Sequence, residues 1–192
     1  MLLIHLMLNQ ALIFSISRSY SFIPSSPHPF IPFLRTFMAM KTKLHFSISI
    51  QAPVVVVYDK MLGLTHLSDY ESWVALFNPT STYEGKWEKG EKMYFIGTDE
   101  NGNKGGMVAI IADIQPNAFV SIQHKGLFQN GQEIMEGPDV EKWANGFENY
   151  TFQEDNGTTS LIVDLDVTED FADFMNEIYP KALDKLKEIC EG

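Results

Sequence analysis

"TTSLIVDLDVTEDFADFMNEIYPKALDKLKEIC", residues 158–190, changes its hydrophobic period at Thr168. Before that point Leu161, Val163, Leu165 and Val167 alternate with Asp164 and Asp166, the period of a strand with one buried face. After it Phe171, Phe174, Met175, Ile178, Ala182, Leu186 and Ile189 recur every three or four residues, which predicts an amphipathic helix of at least five turns. Thr168 suits the N-cap, and Glu169 and Asp170 suit the positive end of the helix dipole. Pro180 removes one backbone hydrogen bond, so a kink is expected near 176–180. A helix with one long apolar stripe must cover an apolar surface, and the strand feeding into it points to a sheet.

Upstream, the sheet can be followed strand by strand. "KLHFSISIQ" (43–51) puts Leu44, Phe46, Ile48 and Ile50 on one face and His45, Ser47 and Ser49 on the other. "APVVVVYDKML" (52–62) is read as a short helix opened by Pro53 with Asp59 and Lys60 on its outer side, although four valines favour a strand by propensity. A second short helix is read from Ser68, an N-cap candidate with Glu71 three residues on. Asn101-Gly102, Asn130-Gly131 and Asn156-Gly157 each sit between runs of β-formers, where Asn-Gly accepts the positive φ angles of a hairpin turn. Pro116-Asn117 makes another turn. Together with "STYEGKW" (81–87), these breaks predict about six antiparallel strands after the first, with no crossover helices between them.

Strand, two short helices, antiparallel meander and long terminal helix is the helix-grip order. With "SISIQAPVVVVYDKML", "STYEGKWEKGEKMYF", "FVSIQHKG" and "WANGFENYTF", residues 41–192 resemble the START-like, or SRPBCC, superfamily, and within it the branch related to the activator of the heat-shock chaperone ATPase. The resemblance implies an α+β fold: a curved antiparallel sheet wrapped around the C-terminal helix, with a cavity between them. Tyr58 is a departure, since many relatives carry Trp there.

Function follows less directly. His124 ends the alternating run "FVSIQHKG", and parity sends it toward the cavity with Val120 and Ile122; Tyr150, Phe152 and Val163 face the same way. His124 is open to three readings: a satisfied buried histidine, the polar anchor of a ligand in an apolar pocket, or a general acid–base group paired with Tyr150 or Glu148. The expected ligand-binding set is Ile122, His124, Trp143, Tyr150, Phe152, Val163, Phe171, Phe174, Met175 and Ile178, with Phe174 projecting from the helix toward His124. Asp164 and Asp166 alternate outward and read as a solvated face. Residues 127–146, with Phe128, Met135 and Trp143 among acids, form either a lid or a surface hairpin and helix that Trp143 pins to the sheet.

Composition removes several classes. The chain has 192 residues and a net charge of −11, and both arginines, Arg18 and Arg35, lie in residues 1–39; the remaining 12 Lys face 25 acids, a formal −13 from residue 40 on. That field repels phosphate backbones, so nucleic acid is not an expected partner, nor is insertion into a membrane. Cys190 stands alone and the five histidines are scattered, so no metal, catalytic residue or other cofactor is expected. "NGNKGG" (101–106) lacks the Lys-Ser/Thr of a phosphate loop. The leading expectation is non-catalytic binding of a hydrophobic small molecule by a cytoplasmic protein. A cyclase- or hydrolase-like enzyme acting on an aromatic or polyketide substrate, and a chaperone-associated module with a protein partner, are the alternatives.

Residues 1–39 contain no acid, and their apolar run from Leu2 to Ile16 is broken by His5, Asn9 and Gln10. It is shorter than the roughly 18 apolar residues of a spanning helix, and its first Arg follows rather than precedes it. The Ser-rich, acid-free character suits a transit peptide, and four prolines between Pro24 and Pro32 read as a linker. Residues 1–39 are therefore expected to be an extension, either targeting, disordered or preceding the true start, and residues 40–192 the domain. Mass spectrometry of the natively expressed protein should recover no peptides between Leu2 and Arg35; their presence in the mature protein would contradict this.

Overall fold

The computed structural model describes residues 41–192, and the expected N-terminal extension lies outside them. Strand β1 (Lys41–Ile50) is followed by helices α1 (Val54–Leu62) and α2 (Leu67–Val74). Then come strands β2 (Thr82–Gly85), β3 (Lys92–Thr98), β4 (Lys104–Gln115), β5 (Phe119–Gln129) and β6 (Gln132–Ile134). The short helix α3 (Pro138–Glu141), strands β7 (Phe147–Asp155) and β8 (Thr158–Thr168), and helix α4 (Glu169–Glu191) complete the chain. The strands form one curved, unclosed antiparallel sheet in the order β1-β8-β7-β5-β4-β3-β2, with β6 paired to β5 alone. The fold is the expected α+β arrangement, a sheet wrapped around the last helix.

Local chemistry accounts for the elements. In α1 the valines are helical because Val57, Tyr58, Met61 and Leu62 fall on one buried face, and that packing outweighs their modest preference for strands. Pro53 occupies the N-cap, and Gly63 ends the helix in the left-handed region at φ 65°, where a side chain would meet Tyr70 Cβ at 2.8 Å. Tyr58 is buried, edge-on to Phe152. Helix α2 starts earlier than expected: His66 is its N-cap residue and Ser68 lies in its first turn. Glu71 does not reach back to form a capping box, because its carboxylate accepts the Thr82 hydroxyl at 2.7 Å.

Asn130-Gly131 and Asn156-Gly157 take paired positive φ angles, as a two-residue type I′ hairpin requires. Asn101-Gly102 does not, since only Gly102 is positive; here Asp99 Oδ1 accepts the amides of Asn101 and Asn103 and closes a longer loop. The sheet has one strand more than expected, because residues 132–134 fold back on β5 as β6.

Helix α4 lies across the sheet with Phe171, Met175, Tyr179, Ala182, Leu183, Leu186 and Cys190 buried. Phe46 stacks on Tyr179 at 4.8 Å between ring centroids, and Phe77 meets the same ring edge-on. The helix runs on through Pro180 as one element. Pro180 and Asn176 are both exposed, so the carbonyl left without an amide lies on the solvent side. Thr168 occupies the N-cap without a side-chain hydrogen bond.

Close strand contact at Gly106 yields a test. A Cβ there would fall 2.1 Å from the Phe95 carbonyl oxygen and 2.8 Å from Ile96 Cα, so β3 and β4 must part to admit one. Gly106→Ala should therefore cost about 1–3 kcal/mol, the usual range for overpacking, read as a lower denaturant midpoint. An unchanged midpoint would show that the strands separate freely there.

Candidate functional site

The site is set by register. Ile122 of β5 lies opposite Glu148 of β7, and Val120 lies opposite Tyr150, so Glu148 and Tyr150 share the concave face with Phe152. Helix α4 brings Tyr179 onto the same carboxylate. Glu148 Oε1 accepts the Tyr150 hydroxyl at 2.7 Å and also the Tyr179 hydroxyl. Burial, reinforced by the Glu148 charge, pushes both phenols well above their usual pKa, so they remain protonated donors.

Two cavities meet at this carboxylate. The larger, about 130 Å³, is walled by the rings of Tyr70, Trp73, Phe77, Phe95, Tyr150 and Tyr179, with Ile122, Met107 and Met175. The smaller, about 50 Å³, is lined by His124, Trp143, Asp166, Thr168 and Phe171. Met107, Glu148 and Met175 line both.

His124 is 5% exposed and belongs to the smaller chamber. Its Nε2 is 3.8 Å from Glu148 Oε2, its ring meets Trp143 edge-on at 6.3 Å, and its buried Nδ1 has no hydrogen-bond partner among the described residues. Burial holds its pKa below the ordinary histidine value; the Glu148 and Asp166 charges oppose that shift and Lys41 assists it. The imidazole is therefore neutral near neutral pH.

The expected ligand-binding residues divide into three groups. Ile122, Tyr150 and Met175 line the larger chamber; His124, Trp143, Phe171 and again Met175 line the smaller. Phe152, Val163, Phe174 and Ile178 line neither: the first two are core, and the others are partly buried along its edge. Phe174 thus does not enter the space beside His124, because α4 is rotated to place Phe171 and Met175 there, with Tyr179 in the larger chamber. Tyr179 was not among the expected residues, although its spacing of four from Met175 offered it as readily as Ile178.

Asp164 is exposed as expected and bonds His45 of β1 at 2.8 Å. Asp166 departs from expectation: it is partly buried, accepts the Phe147 amide at 3.1 Å and lines the smaller chamber. Gly146 makes this approach possible, since a side chain there would meet Asp166 Cβ at 3.3 Å. In residues 127–146 Trp143 is buried with Leu127 and Val140, and its indole N–H donates to the Asp139 carbonyl at 2.7 Å. It pins a hairpin and short helix to the sheet.

The Cys190 thiol, pushed up to about 11 by burial, is a poor nucleophile. Among the described residues no group of three or more His, Cys, Asp or Glu side chains is placed to hold a metal ion. No helix among them is long and apolar enough to cross a membrane.

No protein-family model matches the sequence, and no curated protein does either. Solved structures do. The Aha1 dimer from Colwellia psychrerythraea is 20% identical with a TM-score of 0.57, over 78% of this chain and 96% of that one. Protein NE0264 from Nitrosomonas europaea is 17% identical with a TM-score of 0.56, over 76% and 92%. CalU16 from Micromonospora echinospora is 15% identical with a TM-score of 0.50, over 78% and 74%. At these identities the likeness shows the fold alone, a curved antiparallel sheet wrapped around a long C-terminal helix.

Proposed function

We propose that the protein binds a small, largely apolar molecule between the sheet and α4, with Glu148 as its polar anchor. The observation that carries this reading is a chamber of about 130 Å³ walled by aromatic rings around one carboxylate. An apolar cavity of roughly 150 Å³ suffices for benzene, whereas drug-sized ligands occupy about 300–1,000 Å³. The size therefore favours a single ring or a short chain over a sterol or a lipid. Ile122, Tyr150, Met175 and Tyr179 supply the walls. His124, Trp143 and Phe171 shape the smaller chamber beside it. Phe152, Val163, Phe174 and Ile178 act through packing. The binding domain is residues 40–192 of a cytoplasmic protein, with residues 1–39 outside the working unit.

A second reading has its own observation. His124 and Glu148 converge on one wall, 3.8 Å apart, which an acid–base enzyme acting on an aromatic or polyketide substrate would need. Under that reading His124 is the base, and the Tyr150 and Tyr179 hydroxyls hold the carboxylate that orients it. Turnover lost in both His124→Leu and Glu148→Gln, with ring binding kept, would favour the enzyme over the carrier.

Binding is tested by filling the chamber. Benzene or indole at millimolar concentration should raise the melting temperature of the wild type, by up to about 2.7 kcal/mol of stabilisation at a hundredfold excess over Kd. Val74→Phe, which puts a ring into the larger chamber from α2, should abolish that shift while the protein stays folded. A wild type indifferent to every probe of this size would defeat the proposal.

His124 gives a pH test with a definite sign. Its folded-state pKa lies below the unfolded value of about 6.5, so the unfolded chain binds the extra proton first as pH falls. Stability due to neutral His124 is thus complete above about pH 6.5 and declines below it, at no more than about 1.4 kcal/mol per pH unit, until the folded pKa is reached. Urea midpoints measured between about pH 7 and 5.5 should fall more steeply in the wild type than in His124→Leu. Equal slopes would mean that the imidazole is solvated in the native protein.

A further inference from the structure

We infer that the preferred ligand is a small protonated amine, an aryl- or alkylammonium ion whose N–H groups meet Glu148 while its apolar body lies among the rings; this rests on the binding reading above. The first ground is an unequal sharing of hydrogen bonds on the carboxylate. Oε1 receives both tyrosine hydroxyls, whereas no hydrogen bond among the described residues reaches Oε2, from which His124 Nε2 stands off at 3.8 Å. With its side chain 15% exposed, the carboxylate has lost much of its hydration and favours a partner of opposite charge. Among the described residues none supplies one in either chamber: no Lys lines them, and their linings contribute two carboxylates, Glu148 and Asp166. Lys41, whose charge reaches His124, donates instead to the Ala144 carbonyl at 2.6 Å. His124 itself is neutral near neutral pH and leaves the negative charge uncompensated.

The second ground is the wall. Tyr70, Trp73, Phe77 and Tyr179 crowd the larger chamber, and the faces of such rings attract a cation, most strongly those of Trp and Tyr. The Trp73 indole N–H already donates to the Met61 carbonyl at 3.0 Å, so its ring is fixed in place before any ligand arrives. Tyr150 and Tyr179 stay protonated and hold the carboxylate from one side, which leaves the other side for a donor. A ligand carboxylate would meet Glu148 as a like charge, and a wholly apolar ligand would leave Oε2 without a donor. The formal −13 of residues 40–192 draws cations toward the protein before any contact forms.

Three probes of one size separate the charge classes: benzylamine, benzyl alcohol and benzoate, titrated calorimetrically into the full chain near neutral pH. Benzylamine should bind about tenfold or more tighter than benzyl alcohol, and benzoate more weakly than either. Glu148→Gln should bring the amine and the alcohol to within about threefold of each other. Should that variant fail to fold, the wild-type ranking still decides, with Val74→Phe as the control: loss of the amine preference there locates it in the chamber, and its survival assigns it to the acidic surface and overturns the inference. Alcohol and amine of equal affinity would overturn the amine class and leave apolar binding standing. Benzoate as the tightest probe would overturn it in favour of an anion site. No binding by any of the three would remove both the inference and the reading beneath it.

Discussion

A curved antiparallel sheet leaves one concave apolar face, and here one long helix must cover it. Seven strands in series at about 4.8 Å spacing span roughly 29 Å, while a helix with its side chains is about 10–12 Å across. Helix α4 therefore cannot fill the groove alone. Helices α1 and α2 close one part of it, and the remainder is filled by large rings projecting from both layers. Tyr179 is central, stacked on Phe46 from the sheet and met edge-on by Phe77. Rings fill volume in coarse steps, so they leave gaps where aliphatic side chains would have closed them. The larger chamber is such a gap, bounded on one side by α2 and on the other by β3 and β4.

Into this apolar interior the chain inserts a carboxylate. A well-packed hydrophobic residue at position 148 would be at least as stable by the usual balance of desolvation against pairing. Instead, two tyrosines place their hydroxyls on one oxygen of Glu148, one from β7 and one from α4, and so tie the helix to the sheet by charge-assisted hydrogen bonds. This bond network fixes the rotation of α4. With Tyr179 held against Glu148, Met175 falls between the two chambers and Phe171 beside the smaller one, while Phe174 and Ile178 are left at the margin. The polar group in the core thus specifies which stripe of the helix faces inward.

That dependence explains what could be read from the sequence. Alternation identifies β1 and β8, Asn-Gly marks two of the hairpins, and the change of period at Thr168 reveals α4, because each signal is local. The rotation of α4 is not local. Both the stripe through Phe171, Phe174 and Ile178 and the stripe through Phe171, Met175 and Tyr179 satisfy helical spacing; a tyrosine hydroxyl argues against burial until its acceptor, 31 residues earlier, is known. Glu148 is legible only in part: parity places it with Tyr150 on the concave face as a partner for His124, but its hold on Tyr179 depends on how α4 is docked. Cavities are further removed still, being the difference between the volume of the groove and that of the side chains filling it.

A one-residue phase shift decides how His124 meets its surroundings. Along β5 the concave positions are Val120, Ile122 and His124, opposite Ile114, Ile111 and Ala109 of β4, and strict alternation would continue them to Gly126. Instead Gly126 pairs with Val108 and Leu127 with Met107, so Lys125 is the inserted residue of a bulge and the faces exchange beyond it. Leu127 thereby turns to the same side as Met107 and gives Trp143 and Val140 an apolar seat. Gly126 turns the other way, under β6, where a side chain would meet the Ile134 carbonyl oxygen at 2.5 Å. The backbone of His124 is tied to the same excursion: its amide donates to Gly146 and its carbonyl accepts from Asn145. Without the bulge Trp143 would lose its seat and His124 the wall that keeps it dry. The single inserted lysine is therefore what makes the neutral imidazole beside Glu148 possible, and "FVSIQHKG" conceals it because a bulge leaves the alternation within one strand intact up to the residue where it acts.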